Sequence, residues 1–82
     1  MQIKNILERD DILLILEKKN LLAKYKKAKN FILENHSKLV DLKKRKPQND
    51  EMWQFRIDKQ FRAYCYFEAD ILIVFHIDNH QN

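Results

Sequence analysis

The sequence predicts an α+β domain, with an N-terminal helical hairpin packed on a C-terminal antiparallel sheet of three to four strands. Three observations carry this: apolar residues recur at helical spacing up to about residue 35, they recur at every second position from residue 53, and one polar, Pro-containing stretch separates the two regimes. Gly is absent and Pro47 is the only proline, so breakers punctuate the chain at a single place. With 82 residues there is room for one domain, 1–82, and one small core. Any function then sits on a surface or in a shallow groove.

Met1 to Ile6 alternates weakly through Ile3 and allows a short strand ahead of the helices. Asp10 or Asp11 is placed to cap a helix from Ile12 to Lys19, in which Ile12, Ile15, Leu16 and Lys19 share a face. Lys18 and Lys19 suit the negative end of its dipole. A buried strand is the alternative for the run ILLIL, since five apolar residues do not fix a period; the helix is the preferred reading. Asn20 marks a tight turn. The second helix, from about Leu21 to Asn35, presents Leu21, Tyr25, Ala28 and Ile32, with Leu22 and Phe31 widening the stripe. Lys24, Lys26, Lys27 and Lys29 fall on its outer face.

Lys43 to Asp50, reading KKRKPQND, is expected to be a connecting loop. Beyond it Trp53, Phe55 and Ile57 alternate with Gln54, Arg56 and Asp58, and Phe61, Ala63, Cys65 and Phe67 alternate with Arg62, Tyr64, Tyr66 and Glu68. Ile71, Ile73, Phe75 and Ile77 alternate with Leu72, Val74, His76 and Asp78. The turns at 58–60 and 68–70 are short enough to force antiparallel neighbours, so the three strands form a meander. The third is apolar on both faces and is expected to lie centrally or under a helix.

A hydrophobic share of 45% is too high for a disordered chain. The single cysteine, Cys65, excludes an intramolecular disulfide, and no apolar run approaches the roughly 18 residues of a membrane span. A cytoplasmic protein without a cleaved signal is the expectation. Net charge is +4, and its distribution is uneven: 11 of the 16 basic residues lie between Lys18 and Lys46, against two acids, Glu34 and Asp41. A solvated lysine-rich helix face accounts for part of this pattern. A surface that follows phosphates, built from Lys24, Lys26, Lys27, Lys43, Lys44, Arg45 and Lys46, accounts for more of it.

If the aromatic and aliphatic sets pack on the helices, the opposite sheet face carries Gln54, Arg56, Asp58, Arg62, Tyr64, Tyr66, His76, Asp78 and, just past the last strand, His80. Arginine pairs phosphates bidentately, tyrosine stacks on unpaired bases and histidine changes charge near neutrality, so the set suits RNA. Arg and Tyr also favour exposed strands for pairing reasons alone. No Cys/His cluster has metal spacing and no Gly-rich loop exists for a nucleotide, so no metal and no cofactor is expected.

The C-terminal run WQFRIDKQFRAYCYFEADILIVFHIDNHQN resembles the sheet of RelE/ParE-type toxins. The residues that carry the resemblance are Trp53, Phe55 and Arg56, then Phe61 and Arg62, then Ile71 to Ile77, then His80, and the preceding basic hairpin agrees in order and size. The resemblance implies a RelE-like fold and the toxin of a type II toxin–antitoxin module, held inactive by a cognate antitoxin. It also implies a ribosome-dependent mRNA endonuclease that sets a ribose 2′-OH against the adjacent phosphate. On that basis Arg56 and Arg62 stabilise the phosphate and His80 moves the proton, while Gln54, Tyr64, Tyr66 and His76 hold or orient the substrate. Arg62 also admits a structural role as an anchor between strands. The chain departs from the family pattern at its end, where Gln81 replaces a further basic residue and a terminal Tyr is missing. That leaves a ParE-like toxin that inhibits DNA gyrase without cutting RNA, or an inactive basic binding module, as alternatives.

Overall fold

A computed structural model of the chain describes residues 3–45 and 51–79. The elements are β1 (Asn5–Glu8), α1 (Ile12–Lys18), α2 (Leu22–Leu33), a 3₁₀ turn (Ser37–Val40), β2 (Lys43–Lys44), β3 (Trp53–Arg56), β4 (Phe61–Glu68) and β5 (Ile71–Asn79). The class is α+β. The sheet, however, has five strands in the order β1-β5-β4-β3-β2, not three to four, and it is mixed. β1 runs parallel to β5, with Asn5 opposite Ile71 and Glu8 opposite Val74. Parallel neighbours need a long connection, which the helices and the meander supply. β2 pairs Lys43 with Gln54 and Lys44 with Trp53, so part of the expected loop is strand. Two residues are too few to display a period, which is why the segment reads as a loop.

Without glycine, both helices stop on asparagine. Asn20 (φ 59°) and Asn35 (φ 66°) adopt the left-handed conformation that asparagine tolerates best among non-glycine residues. Leu21 N–H then donates to the Leu16 carbonyl at 2.7 Å, and His36 N–H to that of Phe31 at 2.7 Å, satisfying carbonyls left over at each helix end. The start of α1 differs from expectation. Asp11 has φ 68°, outside the extended backbone that a capping residue usually adopts, and its side chain makes no capping bond.

Ile12, Leu16, Leu21, Tyr25, Ala28 and Ile32 bury themselves against Ile6, Phe55, Ala63, Cys65, Leu72 and Val74 on one sheet face. Tyr25 stacks on Phe55 with ring centroids 6.1 Å apart. Its hydroxyl donates to Glu8 Oε2 at 2.5 Å, and Lys29 Nζ reaches the same oxygen at 2.9 Å. Lys29 is therefore turned inward rather than standing on the outer face of α2, because the otherwise uncompensated Glu8 carboxylate at the end of β1 draws it in. Burial, then the hydrogen bond and charge of Glu8, hold the Tyr25 phenol far above its usual range. Burial alone pushes the Cys65 thiol up to about 12.

β5 carries a bulge that alternation could not show. Tyr64 pairs with His76 but Cys65 pairs with Val74, so Phe75 is the extra residue. Before the bulge Leu72 and Val74 face the core, and beyond it Ile77 does. The expected grouping of Ile71, Ile73 and Phe75 with Ile77 is thus overturned: the first three share the outer face, because one inserted residue reverses every side chain that follows.

Candidate functional site

The outer face gathers its polar residues at the end of the sheet where β3, β4 and β5 lie side by side. One row runs Arg56, Arg62, Asp78 and the next runs Gln54, Tyr64, His76, with Lys43 opposite Gln54 on β2. Two arginines placed directly opposite repel each other. Asp78 in the same row and main-chain carbonyls beneath Arg62 offset that cost.

Arg62 Nη1 donates to the carbonyls of Asp58 at 2.9 Å and Phe61 at 3.3 Å. The Asp58 side chain in turn accepts from the N–H groups of Gln60 and Phe61, both at 2.8 Å, and from Lys24 Nζ at 3.4 Å. Burial works to raise the pKa of Asp58, but the two N–H donors and Lys24 outweigh it and hold the carboxyl below its ordinary range. Arg62 is thus an anchor of the β3–β4 turn through one nitrogen, while its other nitrogens have no hydrogen-bond partner among the described residues. Arg56 is exposed and has no salt-bridge partner among them.

Tyr64 donates its hydroxyl to Asp78 Oδ2 at 2.9 Å. Desolvation, followed by that hydrogen bond, raises the phenol's pKa, with the nearby Arg45 charge opposing, so Tyr64 is a neutral donor and not a base. The Arg45 guanidinium lies 4.3 Å from the Tyr64 ring centroid, with Nη1 3.1 Å from Met52 Sδ. His76 flanks the same ring at 5.6 Å. Tyr66 stands apart from this cluster. The bulge brings Phe75 onto the outer face beside it, at 5.7 Å, in an apolar half of the face shared with Ile73 and Leu7.

The basic residues divide between two places. Lys24, Lys26 and Lys27 stand on α2, Lys27 over the Phe31 ring, whereas Lys43 and Arg45 stand at the sheet's β2 edge. Lys44 points to the Trp53 side and pairs with Glu51. Lys46 and His80 lie outside the described residues. The bonds made by Asp78 and Arg45 were not readable from the sequence. Asp78 alternates in step with His76 and was visible as a face residue, but its pairing with Tyr64 depends on the shifted register.

The cluster can hold an anion between guanidinium groups and offer aromatic surface to a base. Among the described residues no group of three His, Cys, Asp or Glu side chains could hold a metal ion, and no helix is long and apolar enough to cross a membrane. The chain matches no protein-family model, no curated protein and no solved structure, so its own geometry is the guide to what this face does.

Proposed function

We propose that the chain is the RelE-like toxin of a type II toxin–antitoxin module, a metal-independent mRNA endonuclease that works on the ribosome in the cytoplasm and is restrained by a cognate antitoxin. The observation that carries this is the cluster on the outer sheet face, with Arg45, Arg56 and Arg62 around Tyr64 and His76. α1 and α2 are read as the helical hairpin of that architecture and β1 as its short leading strand. Arg56, exposed and without an acidic partner among the described residues, binds the scissile phosphate, and Arg62, already fixed by the turn, supports it. Tyr64 and Gln54 receive the base, while His76 together with His80 moves protons between the 2′-OH and the leaving oxygen. The Lys26 and Lys27 side of α2 meets ribosomal RNA. The resemblance of the C-terminal strands to RelE/ParE toxins supports the same reading.

A gyrase inhibitor of ParE type is the second reading. It is favoured by the commitment of the Tyr64 hydroxyl to Asp78, which leaves the cluster better equipped to bind than to move protons. Primer extension on mRNA from expressing cells separates the two. Cuts that disappear in Arg56→Ala support the nuclease. Growth arrest with intact mRNA rejects it and favours the gyrase inhibitor, and harmless expression with no antitoxin encoded next door rejects both.

A further inference from the structure

The bulge in β5 gives the outer sheet face two aromatic pairs in tandem. On β4, Tyr64 and Tyr66 stand on this face about 6.7 Å apart, two residues along one strand. A regular β5 would offer only alternate residues to the face, but the bulge brings consecutive ones onto it, His76 beside Tyr64 and Phe75 beside Tyr66. The pairs are alike: ring centroids lie 5.6 Å apart with a 45° tilt in the first, and 5.7 Å apart with a 50° tilt in the second.

The first pair belongs to the polar cluster already described. The second walls a shallow hollow of roughly 400 Å³ together with Met52 and Glu51. That volume falls within the range of about 300–1,000 Å³ usual for small-ligand sites. The walls are largely apolar, and Glu51, with its side chain 86% exposed, is the one charged group among them. Arg45 joins the two places, since its guanidinium lies 4.3 Å from the Tyr64 ring centroid and its Nη1 3.1 Å from Met52 Sδ. Two flat aromatic surfaces with a guanidinium at their junction match two consecutive bases of a single strand and the phosphate that links them. An apolar peptide accounts for Tyr66 and Phe75 but not for the guanidinium and carboxylate beside them.

We infer that the hollow beside Tyr66 and Phe75 is a second nucleobase site, which takes the neighbour of the base held at Tyr64 in a single-stranded RNA. Glu51 selects within it. A carboxylate accepts hydrogen bonds and gives none, so it favours guanine, with adjacent donors on its Watson–Crick edge, over uracil, whose single N–H stands between two carbonyls. The 3.7 Å pair of Glu51 with Lys44 is open to solvent and weak enough to be exchanged for such a base. The site rests on the reading of the sheet face as an RNA-binding surface, though not on cleavage.

The test titrates the full chain with the trinucleotides UGU and UUU, and with UGU lacking its central base, following backbone amide shifts. UGU should shift Met52, Tyr66 and Phe75 along with Tyr64 and His76, and should bind about tenfold more tightly than UUU. The abasic strand should shift Tyr64 and His76 only. Phe75→Ala should weaken UGU binding about tenfold, as loss of one stacking surface does. Glu51→Ala, at an exposed position away from the core, should bring the ratio of the UGU and UUU affinities close to one. Shifts at Tyr64 and His76 without Tyr66 and Phe75 would remove the second site and leave the RNA-binding reading in place, whereas no shift at either pair would remove both. An abasic strand bound as tightly as UGU, equal affinities for UGU and UUU, or a Glu51→Ala variant that keeps the preference would each overturn the inference. So would shifts at Tyr66 and Phe75 on raising the protein concentration alone, which would mark a second copy of the chain as the occupant.

Discussion

The two faces of the sheet are built from the same strands but obey different rules. Phe55, Ala63, Cys65, Leu72 and Val74 on the inner face are wholly buried and carry little besides hydrocarbon. On the outer face their neighbours Arg56, Arg62, Tyr64 and His76 are exposed or half-buried: Arg62 is bonded to turn carbonyls, Tyr64 to Asp78, and His76 lies beside the Tyr64 ring. Burial fixes the inner residues through volume, and substitution there costs folding. The outer residues are held by a few directed polar contacts or, like Arg56, by none among the described residues, so substitution there should cost binding while leaving the fold nearly untouched.

Adjacent residues on β3 give the strongest way to break this contrast. Phe55→Ala opens a cavity in the centre of the core and should cost about 3–5 kcal/mol, enough to unfold much of so small a domain. Arg56→Ala should change stability by no more than about 0.5 kcal/mol while weakening RNA affinity and lowering its salt slope by about 1. Urea melts read the first quantity and filter binding the second. Equal losses of stability in the two variants would erase the distinction between the faces.

The tyrosines sharpen the comparison. Tyr25→Phe leaves the Glu8 carboxylate with Lys29 alone and should cost about 1–2 kcal/mol. The same change at Tyr64, on the open face, should stay within about 0.5 kcal/mol. Because folding raises the Tyr25 pKa, its contribution is fully present below the unfolded phenol value of about 10 and is lost as pH rises above it. The stability gap between wild type and Tyr25→Phe should therefore narrow in alkali. A gap that widens there would contradict the buried hydrogen bond.

The smallest effect belongs to Asp58, which ties the turn beneath Arg62. Folding lowers its pKa, so the stability it contributes is present above the unfolded value of about 4 and fades as pH falls through the folded one. Asp58→Asn should be slightly less stable than wild type near neutrality and should converge on it in acid, as followed by circular dichroism. A constant offset at all pH values would mean that the carboxylate charge plays no part in holding the turn.

The helices were legible because Leu21, Tyr25, Ala28 and Ile32 repeat at steps that only a helix brings to one side. The three C-terminal strands were legible for the matching reason at a period of two. Three features were hidden, each for a physical cause. β2 is shorter than one full alternation, the parallel pairing of β1, foreseen only as a short strand, depends on residues far along the chain, and the bulge at Phe75 leaves local composition unchanged while reversing the sides of β5. Of the site, Arg56, Arg62, Tyr64 and His76 could be assigned to one face by alternation. The partnerships of Arg45 and Asp78 could not, because they depend on strand register.

The parallel pairing of β1 with β5 also has a temporal meaning. Residues 5–8 are synthesised before both helices and the rest of the sheet, and their partners, residues 71–74, after them, so β1 has no companion while everything between is being made. Closing so long a loop is slow, and the sheet gains its β1 edge only after residues 71–74 have been made. Until then the Glu8 carboxylate, the Tyr25 hydroxyl and Lys29 lack the framework that holds them together. A newborn chain therefore passes through an interval in which its sheet is unfinished and one flank of β5 stands open.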